Sequence, residues 1–88
     1  MNTKRNIIGA RLRRIRIAND LSQKQLAIYL QLSGSELDRA QIAKIEAGIR
    51  KIGDLELWYL SLVLRVGVER FFEGLEAEST EKHFKNQA

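Results

Sequence analysis

Residues 38–48, DRAQIAKIEAG, decide the fold because they carry the start, the end and both faces of one short helix. Asp38 can cap the first turn, and Gln41 stands three residues later, as a capping box requires. Gly48 can adopt the left-handed conformation that ends many helices. The stretch therefore predicts a short amphipathic helix whose two ends are marked in the sequence.

The two faces of this predicted helix differ in chemistry. Ile42 and Ile45 lie three residues apart on one side, which is expected to be buried. The opposite side combines small residues with cations: Arg39, Ala40, Ala43 and Lys44. Small residues allow a close approach to a groove, and the cations can donate to base edges and phosphates. This face favours contact with DNA, although an ordinary solvated helix face can have the same composition.

The composition indicates a single globular domain without metal or disulfide chemistry. The chain has 88 residues, of which 44% are apolar and 30% charged. It has no cysteine and one histidine, His83, so no disulfide, metal site or cofactor is expected. The apolar runs are too short to span a membrane, and no signal-peptide core follows Lys4 and Arg5. We therefore expect a cytoplasmic protein.

The net charge of +4 is divided unevenly along the chain. Residues 1–51 carry +7 and residues 52–88 carry −3. A strongly basic half favours an anionic partner, and nucleic acid is the commonest such partner for a small domain. No catalytic arrangement of side chains and no glycine-rich phosphate loop is present, so an enzyme is not expected.

The apolar spacing elsewhere predicts four more helices and no strand, which makes an all-α, five-helix domain. Ser22 and Gln25 form a second capping box at the start of one of them. The four further helices are expected at residues 7–19, 22–32, 53–65 and 69–73. The polar flanks predict a flexible N-terminal arm, residues 1–6, and a flexible tail, residues 74–88, around a domain of residues 7–73.

Four segments, in order, resemble the DNA-binding domain of the phage repressor/Cro (Xre-type) helix-turn-helix regulators. They are IGARLRRIR from Ile8, LSQKQLA from Leu21, QIAKIEAG from Gln41 and LELWYLSLVLRVGVERFF from Leu55. The resemblance covers about three quarters of the chain. It implies that helices 2 and 3 form the helix-turn-helix and that helix 3 enters the major groove of double-stranded DNA.

One departure from the family pattern concerns the turn of the helix-turn-helix. Seven residues, 31–37, separate Leu30 from Asp38, where the family has about two. We expect a lengthened loop between preserved helices, since lengthening a loop costs little entropy.

The resemblance also implies roles for individual residues. Helix 3 would read bases with Arg39, Ala40, Gln41 and Lys44, and Ala43 lies on the same predicted DNA-facing side. Gln23 would contact a phosphate or an outer base, and Arg50 and Lys51 in the loop after helix 3 would hold the DNA backbone. Independently of the resemblance, Lys24 in the exposed first turn of helix 2 is expected to favour a phosphate, because the free N–H groups and the helix dipole attract anions there. Arg16 and Glu46 match a buried ion pair that ties helix 1 to helix 3, because a carboxylate beside Ile42 and Ile45 is costly unless paired.

Helix 4 carries more apolar residues than one buried face needs, which predicts a partner surface. Trp58, Leu62 and Phe72 are expected to form the interface of a homodimer, with the alternative that Trp58 covers the monomer core. These features predict a sequence-specific transcriptional regulator, with repression as the expected mode. The alternatives are an antitoxin whose partner is a protein toxin, or a protein-interaction module that has lost DNA binding. An inducer or other protein partner is not identified by the sequence.

Overall fold

The computed structural model describes residues 4–75, which form four α-helices and one short 3₁₀ helix without any strand. No helix in this range is long and apolar enough to cross a membrane. The helices are α1 (Gly9–Ala18), α2 (Gln23–Ser33), α3 (Arg39–Glu46) and α4 (Asp54–Leu64), and the 3₁₀ helix is Val68–Phe72. The all-α class is therefore confirmed, and His83 and most of the predicted tail lie outside residues 4–75.

Both predicted capping boxes are present. The Ser22 hydroxyl accepts from the Gln25 backbone N–H at 3.0 Å, and the Gln25 side chain accepts from Ser22 N–H at 2.9 Å. Asp38 and Gln41 make the same two bonds at 2.8 and 3.0 Å. Two backbone donors at each helix start, which would otherwise lack a partner, are satisfied by neighbouring side chains.

The start of α1 differs from the predicted position at residue 7. The Asn6 carboxamide oxygen accepts from the backbone N–H groups of Ile8 and Gly9, at 3.0 and 2.9 Å, and α1 begins at Gly9. Asn6 is itself buried. The last residue of the predicted arm therefore belongs to the folded body, because its side chain replaces the missing hydrogen-bond partners at the helix start.

The loop between α2 and α3 has fewer residues than the seven that the sequence predicts. Residues 31–33, which are predicted to belong to the lengthened loop, continue α2 to one residue past its predicted end at residue 32, and Gly34 ends the helix with φ of +109°. The Ser35 N–H then donates to the Leu30 carbonyl at 2.9 Å. Leu37 is buried at the end of the connection, directly before the Asp38 cap. The loop proper is therefore only residues 34–37.

The predicted fifth helix, residues 69–73, is a 3₁₀ helix at Val68–Phe72, so the elements described within residues 4–75 are four α-helices and not the predicted five. Its hydrogen bonds span three residues, as from Arg70 N–H to the Gly67 carbonyl at 3.0 Å. Five residues are too few to offset the cost of nucleating an α-helix. The segment is held instead by Phe71, whose side chain is fully buried.

The core is built from the apolar stripes of all four α-helices, and it fixes α3 from two sides. Helix α3 packs against both α1 and α2, and the 3₁₀ helix packs against α1 and α4. The fully buried side chains include Leu12 of α1, Leu26 and Leu30 of α2, Ile42 and Ile45 of α3, and Leu60 and Leu64 of α4. This packing leaves one long face of α3 open to solvent.

Candidate nucleic-acid interface

The open face of α3 carries the residues predicted to read bases. Arg39, Ala40 and Lys44 are exposed, whereas Gln41 and Ala43 are half-buried. Ile42 and Ile45 on the opposite side are fully buried. The side chains of the two isoleucines set the rotation of the helix about its axis, so the cationic face cannot turn inward without exposing them.

The first turn of α2 lies beside α3. Lys24 is exposed, but Gln23 is half-buried and its amide donates to Glu46 Oε1 at 3.0 Å. In the free protein the Gln23 side chain is therefore engaged with the end of α3.

The carboxylate that accepts from Gln23 also pairs with Arg16. Arg16 Nε lies 2.6 Å from Glu46 Oε2, and Nη2 lies 3.0 Å from Oε1. The remaining guanidinium nitrogen, Nη1, donates to the Leu21 carbonyl at 2.8 Å. The two side chains are only 10% and 4% exposed. The hydrogen bond to Glu46 raises the pKa of Arg16.

This arrangement joins three elements at one carboxylate. Arg16 comes from α1, Gln23 from α2 and Glu46 from the last turn of α3. The bidentate geometry restricts both distance and angle between the groups. Glu46 therefore fixes the position of α3 relative to the helix that precedes it in the helix-turn-helix.

Arg50 and Lys51, expected to hold phosphates after α3, have different surroundings. Arg50 donates to both carboxylate oxygens of Glu56, at 2.9 and 3.0 Å. It also donates to the Lys51 carbonyl at 2.8 Å. Glu56 accepts at the same time from Gly53 N–H at 3.0 Å, at the start of α4. Arg50 thus connects the loop to α4, whereas Lys51 forms no ion pair within residues 4–75.

A basic depression lies beside the open face of α3 and has a volume of about 420 Å³. It is lined by Arg5, Gln41, Lys44, Ile49, Arg50 and Lys51. The polar composition of residues 1–6 predicts a flexible arm, so the sequence predicts no role in the site for Arg5. An asparagine two to three residues before a helical stripe is a capping signal, and Asn6 could have indicated that the chain is already fixed at this point.

The residues predicted for a dimer interface are not all equivalent. Trp58 and Leu62 lie on the outer side of α4 and are 51% and 50% exposed. Phe72 is partly buried against the core and lines a separate depression with Ile7 and Leu57. The structure therefore places Trp58 and Leu62 on one surface and leaves Phe72 partly buried against the core.

Metal-ligating side chains do not gather anywhere in residues 4–75: no group of three or more histidine, aspartate or glutamate side chains could hold an ion there.

No family model matches the chain, and no curated protein matches it. Among solved structures, the chain is similar to the restriction-modification controller protein C.AhdI from Aeromonas hydrophila. The two share 31% sequence identity with a TM-score of 0.66, over 74% of this chain and 87% of the other.

The helix arrangement, the open basic α3 and this similarity together define a helix-turn-helix DNA-binding regulator. The chain belongs to the helix-turn-helix regulator family that includes the controller protein C.AhdI.

Proposed function

We propose that this protein binds double-stranded DNA sequence-specifically and regulates transcription, in the manner of the repressor/Cro (Xre-type) regulators. The observation that carries the proposal is the open face of α3. It presents Arg39 and Lys44 around Ala40 and Ala43, while the opposite side is anchored by fully buried isoleucines. An arginine and a lysine on a helix with small neighbours can reach the base edges of a major groove.

The surroundings of α3 supply the contacts that a reading helix needs for orientation. Lys24 on α2 and Lys51 after α3 are exposed cations on elements adjacent to α3. Phosphate contacts of this kind position a helix but carry no sequence information. Gln23 can contact a phosphate only by turning away from Glu46, its partner in the free protein. Arg50 is held by Glu56, so it supports the loop and contributes little free charge to DNA.

A homodimer completes the proposal, because one helix-turn-helix reads only a few base pairs and a symmetric pair doubles the site. Repression is the proposed mode, since a regulator bound over a promoter excludes other proteins from it.

Selection of bound sequences from random duplexes tests this function and yields the preferred site. On that site, Arg39→Ala and Lys44→Ala should each cost about 1–3 kcal/mol and relax base preference at particular positions. The control is Arg65→Asn, which removes one cation from the end of α4 and keeps a residue that tolerates the left-handed conformation of Arg65, φ +56°. If both α3 variants keep the wild-type base preference, α3 is not the reading helix.

The similarity to C.AhdI supports a narrower candidate, control of restriction–modification genes. The 31% identity extends over 87% of that controller protein, well beyond the helix-turn-helix itself. This role predicts that the selected site lies upstream of genes for a nuclease or a DNA methyltransferase. An antitoxin would instead bind upstream of its own gene and that of a protein toxin, with which it would form a stable complex.

A further inference from the structure

The basic depression contains more cationic side chains than are paired with carboxylates. Of its four cations, Arg50 is neutralised by Glu56. Arg5, Lys44 and Lys51 form no ion pair within residues 4–75. Three like charges around one depression repel one another in the free protein, and this repulsion is relieved when an anion binds among them.

The backbone at Arg5 is held in place by the end of α3. The Arg5 N–H donates to the Gly48 carbonyl at 2.7 Å. The buried Asn6 amide donates to the carbonyls of Ile45, at 3.0 Å, and Arg50, at 2.8 Å. The chain is thus fixed to the last turn of α3 and to the following loop. The backbone of Arg5 is therefore held in a defined position, while its side chain is exposed to solvent.

The depression is continuous with the reading surface. Gln41 and Lys44, which line it, also belong to the open face of α3. When α3 lies in a major groove, the strand that borders the groove runs past the side of the helix. An anion in the depression would therefore be part of that strand, and the anionic group of a DNA strand is its phosphate.

We propose that Arg5 and Lys51 form a binding subsite for one backbone phosphate of the DNA strand flanking α3, next to the base-reading Lys44 and with Arg5 as its principal donor. The Arg5 guanidinium matches two phosphate oxygens with two parallel N–H bonds, whereas Lys51 acts as a point charge. This inference rests on the proposed DNA-binding function and adds a contact from a segment that precedes the helix-turn-helix.

Binding to a fluorescently labelled duplex of random sequence tests the subsite, because phosphate contacts do not depend on base sequence. Affinity is measured over a range of salt concentrations for the wild type, Arg5→Ala, Arg5→Lys and the control Arg65→Asn. Loss of one phosphate contact should reduce the slope of log affinity against log salt by roughly 0.9. Arg5→Ala should then bind about eightfold more weakly at about 0.1 M salt, with the difference vanishing towards about 1 M.

Arg5→Lys should retain most of the slope, and Arg65→Asn should keep the wild-type value. Thermal melts of all four proteins should agree, since the Arg5 side chain is exposed. An Arg5→Ala protein with the wild-type slope would overturn the subsite while leaving DNA binding intact. A wild type that binds no duplex at any salt concentration would overturn the proposed function and the subsite with it.

Discussion

At Gly9, helix α1 passes so close to the end of α3 that no side chain fits between them. A Cβ at this position would lie 2.7 Å from the carbonyl oxygen of Glu46 and closer still to that of Ile45. Both contacts are with backbone, which cannot move aside as the end of a flexible side chain can. Gly9 therefore sets the distance between α1 and the helix proposed to read DNA.

Gly9→Ala should lower the free energy of unfolding by roughly 1–3 kcal/mol, the usual cost of overpacking. The sign of this change in stability is informative, because replacing glycine by alanine inside a helix normally stabilises it by about 0.5–1 kcal/mol. Denaturant titration measures the change. Gly53→Ala is the matched control, since its Cβ would meet nothing nearer than Glu56 Oε1 at 4.0 Å. An increase in stability for Gly9→Ala would contradict the close approach.

Removing one partner of the Arg16–Glu46 pair should cost roughly 3–5 kcal/mol, because the remaining charge is buried without its counterion. Thermal and denaturant melts of Arg16→Met, Glu46→Leu and the double variant measure this. The double variant should lose much less than the sum of the single losses, since it strands no charge. Additive losses would show that the two groups are not energetically coupled, despite their separation of 2.6 Å.

At the scale of the elements, the loop after α3 is joined to α4 by the Arg50–Glu56 pair. Glu56 accepts from Arg50 twice and also from Gly53 N–H, so one carboxylate both caps α4 and holds the loop. The hydrogen bonds from the Arg50 guanidinium lower the pKa of Glu56 below its ordinary value of 4.5, against the opposing effect of its partial burial. The bond from Gly53 lowers it further.

A pKa that is lower in the folded state means that Glu56 stabilises the fold fully above about pH 4.5 and loses this effect as pH falls through the folded pKa. The stability difference between wild type and Glu56→Gln should therefore be present at neutral pH and shrink below pH 4.5. Chemical denaturation at a series of pH values measures it. Glu36→Gln is the control, at an exposed glutamate that forms no ion pair within residues 4–75. A difference that stays constant with pH would contradict the pairing.

The elements also show which contacts a sequence can predict. The caps of α2 and α3 depend on residues three apart, such as Asp38 and Gln41, and these were predictable from local spacing. Asn6 bonds to carbonyls 39 and 44 residues away, and Gln23 bonds to Glu46 across 23 residues. No periodicity encodes such distances, because they arise only when the helices pack.

The sequence also cannot decide between two roles that one residue type can fill, such as phosphate binding and ion pairing for an arginine. Arg50 follows α3 as a phosphate-binding residue would, but a carboxylate six residues later competes for the same guanidinium. Of the seven residues between Leu30 and Asp38, residues 31–33 continue α2 up to Gly34, and only the remainder forms a loop. The fold class and the open face of α3 followed from apolar spacing, whereas the pairing of individual polar groups did not.

At the scale of the whole molecule, the cations beside α3 and the row of apolar residues exposed on α4 lie on different elements. Basic groups lie on α3, at the start of α2 and around the basic depression, and Arg13 and Arg14 are exposed on α1. On α4, Leu55, Trp58 and Leu62 are 60%, 51% and 50% exposed and follow the spacing of one helix face. Large apolar residues exposed together usually mark a partner surface, and aromatic residues are enriched in such surfaces.

We therefore predict a two-fold dimer centred on Trp58 and Leu62, with Phe72 contributing at most its exposed edge because it is partly buried. Trp58→Glu should give a folded monomer, since a carboxylate placed in an apolar interface loses its hydration without gaining a partner. Analytical ultracentrifugation measures the association state, and circular dichroism verifies the fold. Ile17→Glu is the matched control, because Ile17 lies on α1 and is 49% exposed. Because Trp58 is half-exposed, we expect the Trp58→Glu variant to fold. A variant that unfolds would assign the Trp58 side chain to the core. A folded variant that stays dimeric would place the interface elsewhere.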